Sequence, residues 1–221
     1  MARYRAVIFD LDGTLVDSYE PITVSLNAAR AHFGLPPVSV DQVRREVGHG
    51  LEALVALHLG EERVAEGVRV FRETYARVFR DGMRPIPGAV EAARELARRG
   101  LALAVCSNKP SRFGRPILEA VGLGPELIPV VLGPEDGVPT KPEPPMLRRA
   151  MELLGVAPPE SVYVGDMPLD VESARRAGVD HFLVPTGSAT LEQLVATPGA
   201  RIVMSHDELV RQITDPFDQA P

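Results

Sequence analysis

The chain has 221 residues, 45% of them hydrophobic and 24% charged, with a formal net charge of −6. That length carries one sizeable core, or a core with a smaller attached domain, and the acidic balance argues against a nucleic-acid binder, which needs excess Lys and Arg. The one cysteine, Cys106, excludes an intramolecular disulfide, and no stretch approaches the ~18 apolar residues of a membrane span. The expectation is a cytoplasmic protein, monomeric or homodimeric, with neither membrane nor nucleic acid as partner.

In chain order, the first apolar run is AVIFD (6–10), short and continuous as in a strand buried on both faces. Residues 17–84 then read as amphipathic helices with no convincing strand. From residue 85 a different rhythm sets in. Apolar runs LALAVCSN (101–108), PVVLG (129–133), VYVGD (162–166), HFLVP (181–185) and ARIVMS (200–205) alternate with helical patterns at 88–100, 111–122, 144–155 and 169–178. Several of these helices close with Gly, a common stop. Alternation of this kind predicts an α/β fold, a Rossmann-like parallel-sheet core with an inserted α-helical cap. The core spans 1–16 and 85–221 and the cap 17–84, with hinges at 16–18 and 81–87. The tail from Thr214 to Pro221 reads as frayed.

Ligands of open α/β sheets bind at the carboxyl ends of the strands, and four of those ends carry polar residues here. In DLDGTLVD (10–17), Asp10 and Asp12 lie two apart and point the same way in extended chain. Two such carboxylates repel unless a cation lies between them or one keeps a proton, and both solutions serve catalysis. Gly13 permits a sharp turn, and Thr14 offers a hydroxyl and an amide. Ser107, followed by Asn108, suits either a phosphate oxygen or a helix N-cap. Lys141, in TKPEP, suits either a phosphate or plain solvent. Asp166 ends VYVGD as a Mg²⁺ ligand candidate, and Asp170 opens the helix that follows. Cys106 belongs to its apolar run and reads as a packed core thiol.

Together and in this order, these pieces resemble the four motifs of the haloacid dehalogenase superfamily of phosphohydrolases. The resemblance covers nearly the whole chain, with the helical block matching a cap inserted after the first motif. It implies that Asp10 is the nucleophile and Asp12 the general acid/base, the latter also giving its main-chain carbonyl to Mg²⁺. It implies phosphate binding by Thr14, Ser107, Asn108 and Lys141, metal ligation by Asp10, Asp12 and Asp166, and a supporting role for Asp170 through the lysine or a metal-bound water. The expected cofactor is Mg²⁺ and the expected partner a small phosphorylated metabolite.

Within the superfamily the sequence is most similar to phosphoglycolate phosphatases, through VGHG (47–50), PGAVEAARELARRG (87–100), SNKP (107–110) and GDMPLD (165–170), with Met167 where Ser is common. A dehalogenase lacks the second Asp of DxD, which is present here. A β-phosphoglucomutase carries an Arg in the cap loop that here reads Gly48–His49–Gly50–Leu51. A pyrophosphatase of the same superfamily and a non-enzymatic interaction protein on this fold are further alternatives. His49, between two glycines, reads as a substrate-facing cap residue or as an exposed loop histidine. Arg44 and Arg45 read as a solvated helix face ahead of a substrate-carboxylate site.

Overall fold

The computed structural model describes residues 3–215. Its centre is a five-stranded, all-parallel sheet: β1 (Ala6–Phe9), β4 (Ala102–Cys106), β5 (Val130–Leu132), β6 (Ser161–Gly165) and β7 (Asp180–Leu183), in the order β5-β4-β1-β6-β7. Every residue of β1 is buried, as its apolar run requires in a central strand covered on both faces. The alternation of side chains sorts them between two cores. Val7 and Phe9 pack with Leu103, Val105, Val162 and Val164 on one face, while Ile8 joins Ala104, Cys106, Tyr163 and Met146 on the other.

Helices cover both faces. On the first lie α5 (Ala89–Arg98), α6 (Ser111–Ala120) and α10 (His206–Thr214), and on the second α7 (Pro145–Leu154) and α8 (Pro168–Ala177). A short α9 (Leu191–Val195) follows β7. The expected α/β core is therefore present, with one correction. The run 200–205 forms no strand of the sheet; it makes a single bridge, Leu183 to Ile202, before Ser205 caps α10 by accepting the Glu208 N–H. Leu183 is the last residue of β7, so the run meets only the end of that strand. Residues 216–221 of the tail lie outside the described residues, while Thr214 closes α10.

Between β1 and α5 the chain forms α1 (Tyr19–His32), α2 (Val40–Arg44), α3 (Leu51–Leu59) and α4 (Val64–Val78). These four have an apolar interior of their own, built from Ile22, Leu26, Val43, Leu54, Phe71 and Tyr75 with a second group around Val55 and Leu59. The two segments that lead into and out of the helical block run side by side as a small antiparallel pair, β2 (Val16–Asp17) and β3 (Arg84–Pro85). Arg44 of α2 clasps this point: its guanidinium lies 2.8 Å from Asp17 Oδ2 and 4.3 Å from the centroid of the Tyr19 ring. It is thus paired, where a solvated face was expected. Among the described residues no helix is long and apolar enough to cross a membrane.

Candidate active site

The strand order reverses direction at β1, with β4 on one side and β6 on the other. A crevice opens at such a switch point beyond the carboxyl ends of the strands. Asp10 follows β1, Ser107 follows β4 and Asp166 follows β6. The three loops meet under the helical block in a cavity bordered by Asp10, Asp12, Ser107, Asn108, Lys109 and Lys141.

Asp10, Asp166 and Asp170 are all buried, and each places a carboxylate oxygen within 4.8 Å of the others. Burial pushes the Asp10 carboxyl up to about 6 against the pull of Lys141, with Asp170 adding to the rise. Burial also drives Asp166 well above the usual carboxylate range, helped by the charges of Asp170 and Asp10. Lys141 Nζ lies 2.8 Å from Asp10 Oδ2, 2.8 Å from Asp170 Oδ1 and 2.9 Å from the Tyr163 hydroxyl. Burial works against its charge, but the two carboxylates prevail and hold it protonated.

The oxygens of Asp170 are committed within the protein. Oδ1 faces Lys141 and the Tyr163 hydroxyl, and Oδ2 accepts the N–H groups of Asp166 and Met167. Asp10 Oδ1, in contrast, is buried with no hydrogen-bond partner among the described residues. An orphaned carboxylate oxygen beside a second raised carboxylate is what a hard divalent cation satisfies, and an all-oxygen donor set suits Mg²⁺. Asp10 and Asp166 fit that ion; Asp170 instead fixes Lys141.

The Asp12 carboxylate is not part of this acidic group. Its Oδ1 accepts from the Ser18 hydroxyl, and its Oδ2 lies 3.0 Å from Lys109 Nζ. Lys109 is a residue that sequence reading passed over. Its side chain is only 6% exposed, and its ammonium also donates to the Tyr75 hydroxyl of α4 at 2.7 Å. The only signal was its place in SNKP beside Ser107.

Ser107 borders the cavity and its hydroxyl accepts the Lys109 N–H at 3.3 Å, which leaves the O–H to donate. It is no N-cap, since α6 starts at Ser111. Lys141 is 5% exposed, so it is no solvated surface lysine. Cys106 is fully buried, its thiol pushed up by burial and directed to the Met146 carbonyl, as a core thiol should be.

Three expected site residues have partners or surroundings of other kinds. Thr14 is fully buried; its hydroxyl donates to Asp166 Oδ1 (3.3 Å), so it steadies a carboxylate and does not reach the cavity. The Asn108 amide is taken by main chain: Nδ2 donates to the carbonyls of Gly48 (3.0 Å) and Lys141 (3.3 Å), and Oδ1 accepts the Lys141 N–H (2.8 Å). His49 is exposed and borders a neighbouring hollow with Arg45 and Gln193, separate from the one at Asp10; Met167 and Ser188 border both.

The close packing explains two glycines. Gly13 has φ +82°, and a Cβ there would lie 2.5 Å from the Tyr19 hydroxyl. A Cβ on Gly187 would lie 1.9 Å from Asp166 Oδ2, the oxygen that accepts the Ser188 N–H at 2.7 Å.

A family model described as haloacid dehalogenase-like hydrolase matches residues 7–184. The chain belongs to the haloacid dehalogenase-like hydrolase family. It is 37% identical over 210 residues to a phosphoglycolate phosphatase of Rhodospirillum rubrum, covering 90% of this chain and 86% of that one. It is 33% identical over 222 residues to an N-acetylmuramic acid 6-phosphate phosphatase of Pseudomonas aeruginosa, covering 99% and 96%. The crystal structure of a predicted phosphoglycolate phosphatase from Haemophilus somnus superposes with a TM-score of 0.86 at 26% identity, over 96% of this chain and 98% of that one. Kinship of this extent makes this member of the haloacid dehalogenase-like family a phosphoric monoester hydrolase.

Proposed function

We propose that the chain hydrolyses a small phosphate monoester through an aspartyl phosphate on Asp10, with Mg²⁺ as cofactor and phosphoglycolate as the first substrate to try. The observation that carries this reading is the state of Asp10: one oxygen held by Lys141 at 2.8 Å, the other buried without a partner among the described residues, at the edge of a cavity shared with Asp12 and Ser107.

In this reading Asp10 Oδ2 attacks phosphorus, and the bond from phosphorus to the alcohol oxygen breaks. Asp12 gives its proton to that oxygen. Water then attacks the same phosphorus, Asp12 takes a proton from it, and Asp10 is released with inorganic phosphate. Lys141 and the Ser107 hydroxyl hold phosphoryl oxygens in line, and Asp170 and Tyr163 keep Lys141 aimed. Bound at Asp10 and Asp166, and to the Asp12 carbonyl as the motif implies, Mg²⁺ supplies neutralising charge for the phosphoryl oxygens. The helical block, residues 17–84, acts as the cap that excludes water.

A sugar-acid phosphate is a second reading, favoured by the relative named for N-acetylmuramic acid 6-phosphate, which aligns over 99% of this chain. The test is phosphate release by purified protein from phosphoglycolate, N-acetylmuramic acid 6-phosphate and β-glucose 1-phosphate, with Mg²⁺ and with EDTA. Mg²⁺-dependent release from the first two is expected. No release from any ester would overturn the reading, and glucose 6-phosphate formed from the third would favour a mutase.

A further inference from the structure

The cavity above Asp10 and Asp12 is walled largely by apolar side chains: Ile22, Leu51, Leu54, Phe71 and Tyr75 from the helical block, and Phe113 from α6. The aromatic part is continuous. Phe71 and Tyr75 stack with centroids 5.6 Å apart, and Tyr75 meets Phe113 edge-on at 5.0 Å, so the wall passes from the helical block onto the core. A two-carbon hydroxy acid has no apolar face to lay on such a wall, and the free energy of removing that surface from water goes unused when it binds.

Four cations also border the cavity. Lys141 is answered by Asp10 and Asp170, each at 2.8 Å, Lys109 by Asp12 at 3.0 Å, and Arg72 by Glu52 at 2.9 Å. Arg112 is the exception: among the described residues no carboxylate pairs with its guanidinium, which rests 5.1 Å from the centroid of the Phe113 ring. Glu135, the nearby acid, takes its main-chain N–H instead (2.8 Å). A guanidinium stacked on an aromatic ring presents a planar fork suited to a carboxylate.

We propose that the preferred substrate is the phosphate monoester of a hydroxy acid with an apolar face, its carboxylate held by Arg112 and its apolar face laid on the Phe71–Tyr75–Phe113 wall. The inference rests on the phosphatase reading of the Asp10 site and names the alcohol half of the ester. Phosphoglycolate satisfies the cation and leaves the wall bare.

Three alkyl esters separate the contributions: phosphoglycolate has the carboxylate alone, 2-phenylethyl phosphate the apolar face alone, and the phosphate ester of 3-phenyllactate both. With Mg²⁺, kcat/KM for the phenyllactate ester should exceed each of the others by about tenfold or more. Arg112→Gln should lose about tenfold on the phenyllactate ester and less than about twofold on 2-phenylethyl phosphate, with partial recovery in Arg112→Lys. Calorimetric binding of phenyllactate itself, which needs no turnover, should weaken in Arg112→Gln by the same factor. Equal losses on both esters, unchanged phenyllactate binding, or phosphoglycolate as the best of the three would overturn the inference and leave the phosphatase reading standing. Absence of phosphate release from every ester would overturn that reading, and the substrate assignment with it.

Discussion

The Asn108 side-chain amide donates to the main-chain carbonyl of Gly48 at 3.0 Å, and so ties the loop after β4 to the loop between α2 and α3. The same loop is pressed onto the core at Met167, where a Cβ on Gly48 would lie 2.2 Å from the sulfur. Asn108→Ala removes the tie and, with it, the two bonds to the Lys141 main chain. Loss of one such bond is worth about 1 kcal/mol. We therefore expect kcat/KM to fall by at least about fivefold on all esters alike, with hydrogen exchange of residues 45–50 speeding up. A loss in kcat of a hundredfold with unchanged exchange would instead make Asn108 a direct phosphate contact.

The sheet was legible because the chain writes it plainly. Four apolar residues at 6–9 followed by Asp10 read as a buried strand with an acid at its exit, and VYVG before Asp166 reads the same way. The partners of Thr14 and Asn108 were not legible, since a hydroxyl or amide at a strand end looks the same whether it faces a ligand, a neighbouring carboxylate or a main-chain carbonyl. Lys109 becomes a buried cation through Asp12, 97 residues upstream, and Tyr75, 34 residues upstream on α4. The need for Gly187 likewise arises from Asp166, 21 positions earlier in the chain, and no local pattern records that approach. The run 200–205 shows the opposite error: apolar content there serves a sheet-edge bridge and a core contact at Val203, not a ladder.

Asp10→Asn keeps the shape of the side chain and removes the nucleophile. At least a thousandfold loss of kcat is expected, the scale of an essential catalytic group. Folding should not suffer: burial already opposes the charge of Asp10, so the neutral isostere should match or exceed the wild-type Tm in metal-free buffer. Turnover within tenfold of wild type would sink the assignment, and a Tm drop of several degrees would mean that the Lys141 pair outweighs the burial cost.

Asp166→Asn separates metal binding from folding in the same way. The amide can accept the Ser188 N–H as the carboxylate does, and the substitution removes a charge that burial and two neighbouring carboxylates disfavour. Metal-free Asp166→Asn should therefore melt above metal-free wild type. Mg²⁺ at a hundred times its Kd should stabilise wild type by about 2.7 kcal/mol, roughly 5–10 °C for a chain of this size, and the variant scarcely at all. An equal Mg²⁺ shift in both proteins would remove Asp166 from the ligand set.

His206 should make stability depend on pH. It opens α10 almost fully buried, and its Nε2 meets the carbonyl of Thr14, in the turn that follows Asp12, at 3.0 Å. Burial drives its pKa below the ordinary value of 6.5, against the pull of that carbonyl and of Asp207. The folded state therefore binds fewer protons than the unfolded state just below pH 6.5, so stability rises with pH there, by at most ~1.4 kcal/mol per unit for one group. The contribution is complete above about pH 6.5 and is lost as pH falls from there towards the lowered folded pKa. Asp10 and Asp166, with raised values, act in the opposite sense, so the profile of wild type alone mixes the two effects. His206→Gln isolates the histidine, because glutamine can still donate to the Thr14 carbonyl but does not titrate. Unfolding free energies from urea curves between pH 5 and pH 8 should show the wild-type advantage over His206→Gln shrinking steadily below pH 6.5. Two parallel curves would mean that the imidazole enters the fold without a change in its proton affinity.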